Sequence, residues 1–302
     1  MTNSPIPAER RLLALGLRAA AIFVFSLMMV CVKLSGESGV KLPEIMFWRH
    51  FFSLPVVLLW VIIAGGTASL TTKRIGIHAR RTALGLLAMI LNLGSILLLP
   101  LAEATTIGFA VPLFATLLAA LVLKETVGWQ RWGAVLIGFV GILLVVRPGA
   151  NALPLDGSLM AVAAALVMAV ISLQIRDLVQ TESPPTIAFW FSALSVPPLA
   201  LFLPWTYSPH DLYEWTLLLV MGLLGGVGQI LITASFRYAP VSVVVGMDYL
   251  GLIWATFFGW LFWDHLPPAS TWTGAPVIIA AALFIAWREH RLSIERTREI
   301  AA

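Results

Sequence analysis

The chain carries an internal repeat, marked by two short stretches that share six residues at one constant spacing. Residues 43–55 read PEIMFWRHFFSLP, and residues 185–197 read PTIAFWFSALSVP. The shared pairs are Pro43/Pro185, Ile45/Ile187, Phe47/Phe189, Trp48/Trp190, Ser53/Ser195 and Pro55/Pro197. Each stretch lies at the same point in its own run of five apolar segments. Repeated apolar segments are typical of membrane transporters, in which the substrate site lies where the repeats meet.

Each half of the chain contains five apolar segments that are long enough to cross a bilayer. A helix of about 20 residues spans the hydrocarbon core. The predicted segments are 12–34, 45–64, 81–101, 104–123, 130–147, 158–178, 186–205, 215–236, 241–262 and 271–288. Only 11% of the residues are charged, whereas a soluble domain carries about 25%. The sequence therefore predicts an all-α membrane protein with ten transmembrane helices, as two five-helix repeats over 10–148 and 155–290.

The placement of Lys and Arg residues indicates how the chain crosses the membrane, because cytoplasmic loops are enriched in them. With the N-terminus in the cytoplasm, most basic residues fall on the cytoplasmic side, including Arg18 and Arg81. Since each half has an odd number of segments, the two halves are predicted to be inverted relative to each other. We therefore expect a multi-pass protein of the cell inner (cytoplasmic) membrane with both termini in the cytoplasm.

The sequence lacks the residue patterns of several other functional classes. Cys31 is the one cysteine, so no intramolecular disulfide can form, and no Cys/His spacing indicates a metal site. No Ser–His–Asp arrangement or phosphate-binding Gly-Lys-Ser/Thr loop is present, which argues against an enzyme and an ATP-driven pump. The basic residues lie between apolar segments, which argues against binding of nucleic acid. We predict no catalysis and no cofactor; the alternative to a transporter is a membrane receptor or scaffold.

The later segments of each half share a further pattern. In the first half, Ala104-Thr105-Thr106 leads to Pro112-Leu113, Leu123-Lys124-Glu125, Trp132-Gly133 and Gly138-Phe139-Val140-Gly141. The second half has a weaker version, with Gly251 where the proline would be, Asp264 for Glu125 and Gly274 for Gly133. This pattern resembles the EamA domain of the drug/metabolite transporter superfamily, and two such domains would cover nearly the whole chain.

The resemblance implies a secondary transporter that moves small metabolites across the membrane by alternating access. It also implies that the fifth and tenth helices are peripheral and that the other eight line the site. The chain length and the aromatic-rich second half look like the YddG-type amino-acid exporters, which favours export of amino acids. Organic cations or drugs, and nucleobases, are the alternative substrates. The implied partners are the substrate and membrane lipid; proton coupling is left open, and a monomer suffices because one chain holds both repeats.

Two carboxamides occupy equivalent central positions in the third segment of each half. Asn92 lies eleven residues after Arg81, about 16 Å along a helix, and Gln229 is its counterpart in the second half. Such a pair can donate and accept hydrogen bonds to a zwitterionic substrate. The alternative is that each side chain hydrogen-bonds a neighbouring helix, which is a common use of amides in membranes.

Asp248 is the only carboxylate deep inside a predicted segment, because Asp177 lies one residue from the end of its own, and Tyr249 follows Asp248. Carboxylates within the membrane are expensive and are therefore candidates for function. Asp248 is predicted to bind a substrate ammonium or to carry a coupling proton. The alternatives are a structural ion pair, or a segment boundary that places it among the lipid headgroups.

Four further residues complete the predicted substrate site. Arg49 lies inside the second segment, where it can bind a carboxylate with two hydrogen bonds, form a gate or reach the interface. Trp254 is central in the ninth segment and can stack on an aromatic or cationic group, with core packing as the alternative. Trp48 and Trp190 repeat between the halves, which fits a role in the shared fold as well as a site.

Overall fold

In a computed structural model of the chain, residues 8–66, 70–72, 74–122, 124, 127–147, 153–178, 181–238 and 245–301 are described. All regular structure in these ranges is helical. The α-helices are α1 (Ala8–Glu37), α2 (Leu42–Gly65), α3 (Ile75–Leu98), α4 (Leu101–Gly108), α5 (Val111–Leu121), α6 (Trp129–Val146), α7 (Leu155–Leu178), α8 (Pro184–Ala200), α9 (Leu203–Thr206), α10 (Leu212–Tyr238), α11 (Leu250–Trp263) and α12 (Ala269–Ala301). A 3-10 helix, Val245–Tyr249, leads directly into α11.

Eight helical stretches among the described residues are long and apolar enough to cross a membrane. A shorter apolar helix, Pro185–Ala200, contains the second copy of the repeated motif. The ninth predicted segment, 241–262, starts among residues outside the described ranges, and its described part is the 3-10 helix and the 14 residues of α11. The prediction of an all-α membrane protein is confirmed, and the prediction of ten spans stays a prediction.

One helix in each half is broken at an equivalent position. The fourth predicted segment, 104–123, corresponds to the candidate span Leu101–Leu121, which is interrupted: α4 ends at Gly108, and α5 begins at Val111. Pro112 explains the break, because its ring clashes with the carbonyl four residues before it and it has no N–H to donate. In the second half the chain stays helical and changes from a 3-10 helix to α11 at Leu250; this change and the interruption between Gly108 and Val111 are called the two helix breaks below. The pairing of Pro112 with Gly251 makes Val111 and Leu250 equivalent, so both halves break at the same point.

The helices of the two halves interleave. The first helix of each half packs along the third segment of the other, so that α1 lies along α10 and α7 lies along α3. The second helices, α2 and α8, also pack on each other, and α6 packs along α12. This reciprocal packing places the buried apolar core, which includes Met28, Met46, Leu93 and Met221, between the halves.

The α6–α12 contact depends on two glycines from the motif pattern. A Cβ atom on Gly274 would lie 2.7 Å from the carbonyl oxygen of Gly141, and one on Gly141 would lie 3.1 Å from the carbonyl oxygen of Gly274. Backbones that approach this closely need residues without side chains. The two final helices of the halves are therefore locked to each other.

The molecule has two ends, which are named here after a buried side chain at each. The Glu44 end contains the start of α2, and the His78 end contains Leu70, just beyond the end of α2. At the Glu44 end the rings of Trp48 and Trp215 lie 4.9 Å apart. The equivalent pair, Trp190 and His78, lies 6.3 Å apart at the His78 end. Equivalent contacts at opposite ends are what an inverted repeat produces.

Two arginines that the sequence placed on the cytoplasmic side lie within helices. Arg18 is buried in α1. Arg81 lies in α3, which begins at Ile75 and not at the predicted residue 81. Its guanidinium carbon is 4.3 Å from the centre of the Phe191 ring. The face of an aromatic ring stabilises a nearby cation. The Phe191 ring therefore offsets part of the cost of placing the Arg81 charge in an apolar region.

Candidate functional site

A cavity of about 370 Å³ lies between the two halves and beside both broken helices. Its lining comes from α1, α3, α4, the α4–α5 break, α7, the 3-10 helix and α11. The lining residues are Ile22, Phe25, Ser26, Met29, Asn92, Ile96, Leu101, Ala104, Thr105, Gly108, Phe109, Met168, Asp248, Gly251 and Ala255. Interrupted helices at the interface of two repeats are the usual setting of a transporter substrate site, because their freed backbone groups line a cavity.

The cavity is mostly apolar, with a few polar side chains. Ser26, Asn92, Thr105 and Asp248 supply the polar groups, and aromatic, aliphatic and thioether side chains supply the rest. Small-molecule sites are commonly built in this way, with apolar walls for affinity and a few polar groups for orientation. Two of the predicted site residues, Asn92 and Asp248, thus line one cavity from opposite halves.

Asp248 is paired with an arginine that the sequence did not single out. Arg18 donates from Nε to Asp248 Oδ1 and from Nη2 to Oδ2, both at 2.6 Å. The Arg18 side chain is 7% exposed and the Asp248 side chain is 32% exposed. A two-point guanidinium–carboxylate contact is strong and fixes the geometry of both groups. The pair joins the first helix of one half to the broken helix of the other.

The two helix breaks also touch. The ring of Phe109, at the first break, lies 5.0 Å from the ring of Tyr249, at the second, in an edge-to-face arrangement. Phe109 lines the cavity and Tyr249 follows Asp248, so this contact closes one wall beside the ion pair. Tyr249 is therefore adjacent to the cavity.

The predicted carboxamide pair is not brought together. Asn92 lines the cavity, whereas Gln229 does not belong to its lining. The backbone carbonyl of Gln229 accepts a hydrogen bond from Thr233 at 2.8 Å. Equivalence in the repeat therefore places the two amides at related heights but gives only one of them access to this cavity.

Arg49 contacts sulfur atoms. Its Nε lies 3.4 Å from Met28 Sδ and its Nη1 lies 3.3 Å from Met89 Sδ. His50 Nε2 contacts the same Met89 sulfur at 3.3 Å. Within the described ranges no carboxylate forms an ion pair with Arg49. Thioether sulfur is a weak acceptor, so the guanidinium is held loosely between α1 and α3.

The three predicted tryptophans lie outside the cavity lining. Trp254 packs edge-to-face on Phe23, with ring centres 4.8 Å apart, and stacks on Phe258. Trp48 donates from Nε1 to Glu44 Oε1 at 3.2 Å. Trp190 donates from Nε1 to the Leu70 carbonyl at 3.0 Å. Trp254 thus joins α11 to α1, and the repeated tryptophans anchor the two opposite ends.

A second cavity, of about 330 Å³, lies at the Glu44 end and shares Leu101 with the first. Lys33 lines it and donates to the carbonyls of Ile96 at 3.1 Å and Leu99 at 2.5 Å. Trp263, also in the lining, donates to both oxygens of Glu37 at 2.7 and 2.9 Å. Polar groups thus line this second cavity as well.

Two carboxylates that sequence reasoning left at segment ends are more deeply buried than Asp248. Glu44 and Glu103 are both 0% exposed. Glu103 Oε1 lies 3.3 Å from Nε2 of His265. The predicted segments end at 101 and resume at 104, which places Glu103 in the connection between them.

A further hollow, between α6 and α12, has a different character. A groove of about 740 Å³ between α6 and α12 is lined almost wholly by apolar groups. Trp129, Ile137 and Phe284 at its border are exposed. An apolar surface of this kind suits contact with lipid tails.

A family model described as "EamA-like transporter family" matches this chain twice, over residues 12–147 and 155–287. The two matches correspond to the two halves of the repeat. Together they cover most of the chain and agree with the resemblance found in the motifs.

Several curated proteins are similar along most of their length. A riboflavin transporter of Vibrio cholerae is 30% identical over 267 residues, covering 88% of this chain and 89% of the relative. A pseudopaline exporter of Pseudomonas aeruginosa is 28% identical, covering 88% and 93%. An S-adenosylmethionine uptake transporter of Rickettsia bellii is 29% identical, covering 82% and 84%. A solved crystal structure with 17% identity has the same fold, with a TM-score of 0.63 over 90% of this chain and 97% of that one.

Proposed function

The chain belongs to the EamA-like transporter family, and we propose that it exports small metabolites, with amino acids as the substrate class, by alternating access. Transport of a small molecule across a membrane follows from the family. Export as the direction and amino acids as the substrate class are our additions to what the family shows, since the similar proteins include uptake transporters as well as an exporter. The observation that carries the proposal is the Arg18–Asp248 pair in a cavity lined by both halves.

The chemistry of the cavity favours a zwitterion over a simple cation. Arg18 already neutralises Asp248, so the pair adds no net charge that would attract a permanent cation. A substrate ammonium can still bind the exposed part of the Asp248 carboxylate, while Ser26, Asn92 and Thr105 offer donors to a substrate carboxylate. The apolar walls then accept the amino-acid side chain. The YddG-type subclass rests on the sequence resemblance alone.

Alternating access also needs two ends that open in turn. We propose that the Glu44 end faces outward and that both termini are cytoplasmic, as the Lys and Arg distribution predicts. A reporter fused after Pro148 should then lie outside and one fused after Arg74 should lie in the cytoplasm. Finding both reporters on one side would contradict the inverted arrangement.

Transport in reconstituted vesicles tests the proposal directly. Vesicles containing the purified protein are loaded with a mixed pool of amino acids, nucleobases and organic cations, and the release of each compound is measured. We expect release of amino acids, lost in Asp248→Asn but retained in Asp264→Asn, whose carboxyl is at the exposed end of α11. Release of organic cations alone would overturn the amino-acid class. Release of none, with correctly inserted protein, would overturn export of these compounds.

A further inference from the structure

A buried histidine at the Glu44 end lies between carboxylates from two helices. His210 Nε2 is 2.6 Å from Glu44 Oε1 at the start of α2, and His210 Nδ1 is 2.9 Å from Glu214 Oε2 in the first turn of α10. The side chains of His210 and Glu44 are 0% exposed and that of Glu214 is 18% exposed. Glu44 belongs to the first half and the other two residues to the second. These three residues are called the Glu44 clasp below.

Both carboxylates of the Glu44 clasp are held in place by other contacts. The backbone N–H of Glu214 donates to Asp211 Oδ1 at 2.8 Å, and the N–H of Asp211 donates to Glu214 Oε2 at 3.3 Å. This reciprocal arrangement is a capping box, which fixes the start of α10. Glu44 lies in the first turn of α2, where the helix dipole favours a negative charge. The imidazole is thus set between two pre-positioned acceptors.

This geometry needs a proton that a neutral histidine cannot supply. Neutral imidazole donates from one ring nitrogen and carries a lone pair on the other, whereas the imidazolium donates from both. In the Glu44 clasp each nitrogen faces a carboxylate oxygen. Without the extra proton, one of the two short contacts would set a lone pair against a negative charge. The carboxylates lie on opposite sides of the ring, and no metal-type cluster occurs in the part of the chain that the structure describes.

We propose that Glu44, His210 and Glu214 form a proton-binding site that holds the two halves together at the Glu44 end. When this end is closed, the bound proton lets His210 donate to one carboxylate of each half. When it opens, water replaces these contacts and the proton is released. Opening as a step rests on the proposed transport function, whereas binding of the proton in the closed form does not.

The surroundings of His210 favour its protonated form. Burial opposes the charge, but the hydrogen bonds and charges of Glu44 and Glu214 outweigh burial and raise the pKa of His210 above its ordinary value. The other ionisable groups on the packed elements are Asp211, Tyr207 and Lys41. The Tyr207 and Trp215 rings pack edge-on against the imidazole, 5.7 and 5.3 Å away. Lys41 Nζ lies 3.4 Å from the Trp205 carbonyl oxygen, so the Lys41 ammonium donates to a backbone acceptor at this end.

The direction of the pH effect follows from the raised pKa. The Glu44 clasp is fully formed below the ordinary histidine pKa of about 6.5. Its contribution is lost as the pH rises through the higher pKa of the closed form. Acidity on the Glu44 side of the membrane therefore favours the closed end, and alkalinity favours opening.

The protonation state can be read directly from histidine-labelled protein in lipid nanodiscs. The chain has five histidines, and the signal that disappears in His210→Gln identifies His210. By NMR we expect an imidazolium signature that persists above pH 6.5, the ordinary histidine pKa. The titration should move down by about one pH unit or more in Glu44→Gln or Glu214→Gln, because each removes a nearby opposite charge. A neutral His210 at pH 6, or an unchanged titration in both variants, would overturn the proposal.

Closure is measured with spin labels on the two halves at the Glu44 end. Ser38 and Tyr213 are exposed, and each is replaced by cysteine after Cys31→Ser. We expect the label-to-label distance to increase between pH 6 and pH 9 in the parent and to be independent of pH in His210→Gln. His78→Gln, at the opposite end, is the matched control and should keep the pH response. If the label-to-label distance in the parent does not change with pH, the proton does not control closure and the proposal is overturned. Absence of transport would overturn the proposed function and leave the NMR result standing.

Discussion

The two halves of the molecule share a backbone plan but differ in where they carry charge. Both halves break a helix at the same point, yet the first places Phe109 there and the second places Asp248. In the second helix of each half, Arg49 corresponds to Phe191. The breaks, the packing and the tryptophan contacts recur in both halves, so they belong to the fold. Each of these charges, Arg49 and Asp248, is present in one half and has a phenylalanine counterpart in the other, so the shared fold does not require it.

The two ends show the same difference. At the Glu44 end, His210 lies within 2.9 Å of carboxylates from both halves. At the His78 end, Glu182 Oε1 accepts from the Thr72 hydroxyl at 2.6 Å, while the His78 ring nitrogen is 3.8 Å away. Contact between the halves at the Glu44 end thus depends on an ionisable ring. At the His78 end it depends on the Thr72–Glu182 bond and on Arg74 Nη1, which donates to the Thr181 hydroxyl at 2.7 Å. An inverted repeat with different chemistry at its two ends can respond to conditions on one side alone.

The strongest test of this comparison is to remove the charge of Asp248 at the second helix break. We expect Asp248→Asn to lower the rate of transport at least about tenfold, because removing one member of a buried charge pair costs about 2–5 kcal/mol and leaves Arg18 without its carboxylate partner. Flux in vesicles at matched protein amount is the measurement. The double variant Arg18→Gln/Asp248→Asn, which restores a neutral hydrogen-bonding pair, should recover stability without recovering flux. Unaltered flux in Asp248→Asn would make Asp248 a structural residue.

The glycines at the start of the last helix of each half give a second contrast. A Cβ on Gly274 meets the Gly141 carbonyl at 2.7 Å, whereas one on the equivalent Gly133 meets nothing within 4 Å. We expect Gly274→Ala to destabilise the protein by about 1–3 kcal/mol through overpacking. Gly133→Ala should be neutral or stabilise it by up to about 1 kcal/mol, because alanine favours the helix. Thermal unfolding in detergent compares the two, and equal effects would contradict the asymmetric packing of α6 and α12.

The smallest expected effect comes from substituting the two equivalent amides, Asn92 and Gln229. Asn92 lines the cavity and Gln229 does not. We expect Asn92→Ala to raise the KM for transport about 2–10-fold, which is the range of one hydrogen bond worth about 0.5–1.5 kcal/mol. Gln229→Ala should leave KM unchanged. A larger loss in Gln229→Ala than in Asn92→Ala would mean that the substrate binds elsewhere along α10.

Much of the architecture was within reach of the sequence. Lengths of apolar segments, the repeated motif and the glycines of the last helices predict the helices, the two halves and the family. The helix break follows from Pro112 by the ordinary sterics of proline, although the predicted segment 104–123 continues past this residue. Asp248 and Asn92 were chosen because polar groups inside apolar segments are rare, and they line the same cavity.

The partners of these residues were out of reach for a physical reason. Arg18 and Asp248 are 230 residues apart, and His210 and Glu44 are 166 apart. No local periodicity reports such contacts, since they depend on how helices of different halves pack. One local signal was present: Asp211 and Glu214 have the spacing of a capping box, which would have marked the start of α10 and drawn notice to the neighbouring His210.

The location of an ionisable group decides whether it can power uphill movement or only bias a conformation. His210 is enclosed when the Glu44 end is shut and meets solvent on that same side when the end opens. A proton that enters and leaves on one side crosses no membrane, so it performs no work against a concentration gradient. It changes the ratio of shut to open molecules, by at most about tenfold per pH unit. Any ion that drives accumulation must instead bind where both sides gain access in turn, and the proposed alternating access would give the cavity lined by Asp248 that property.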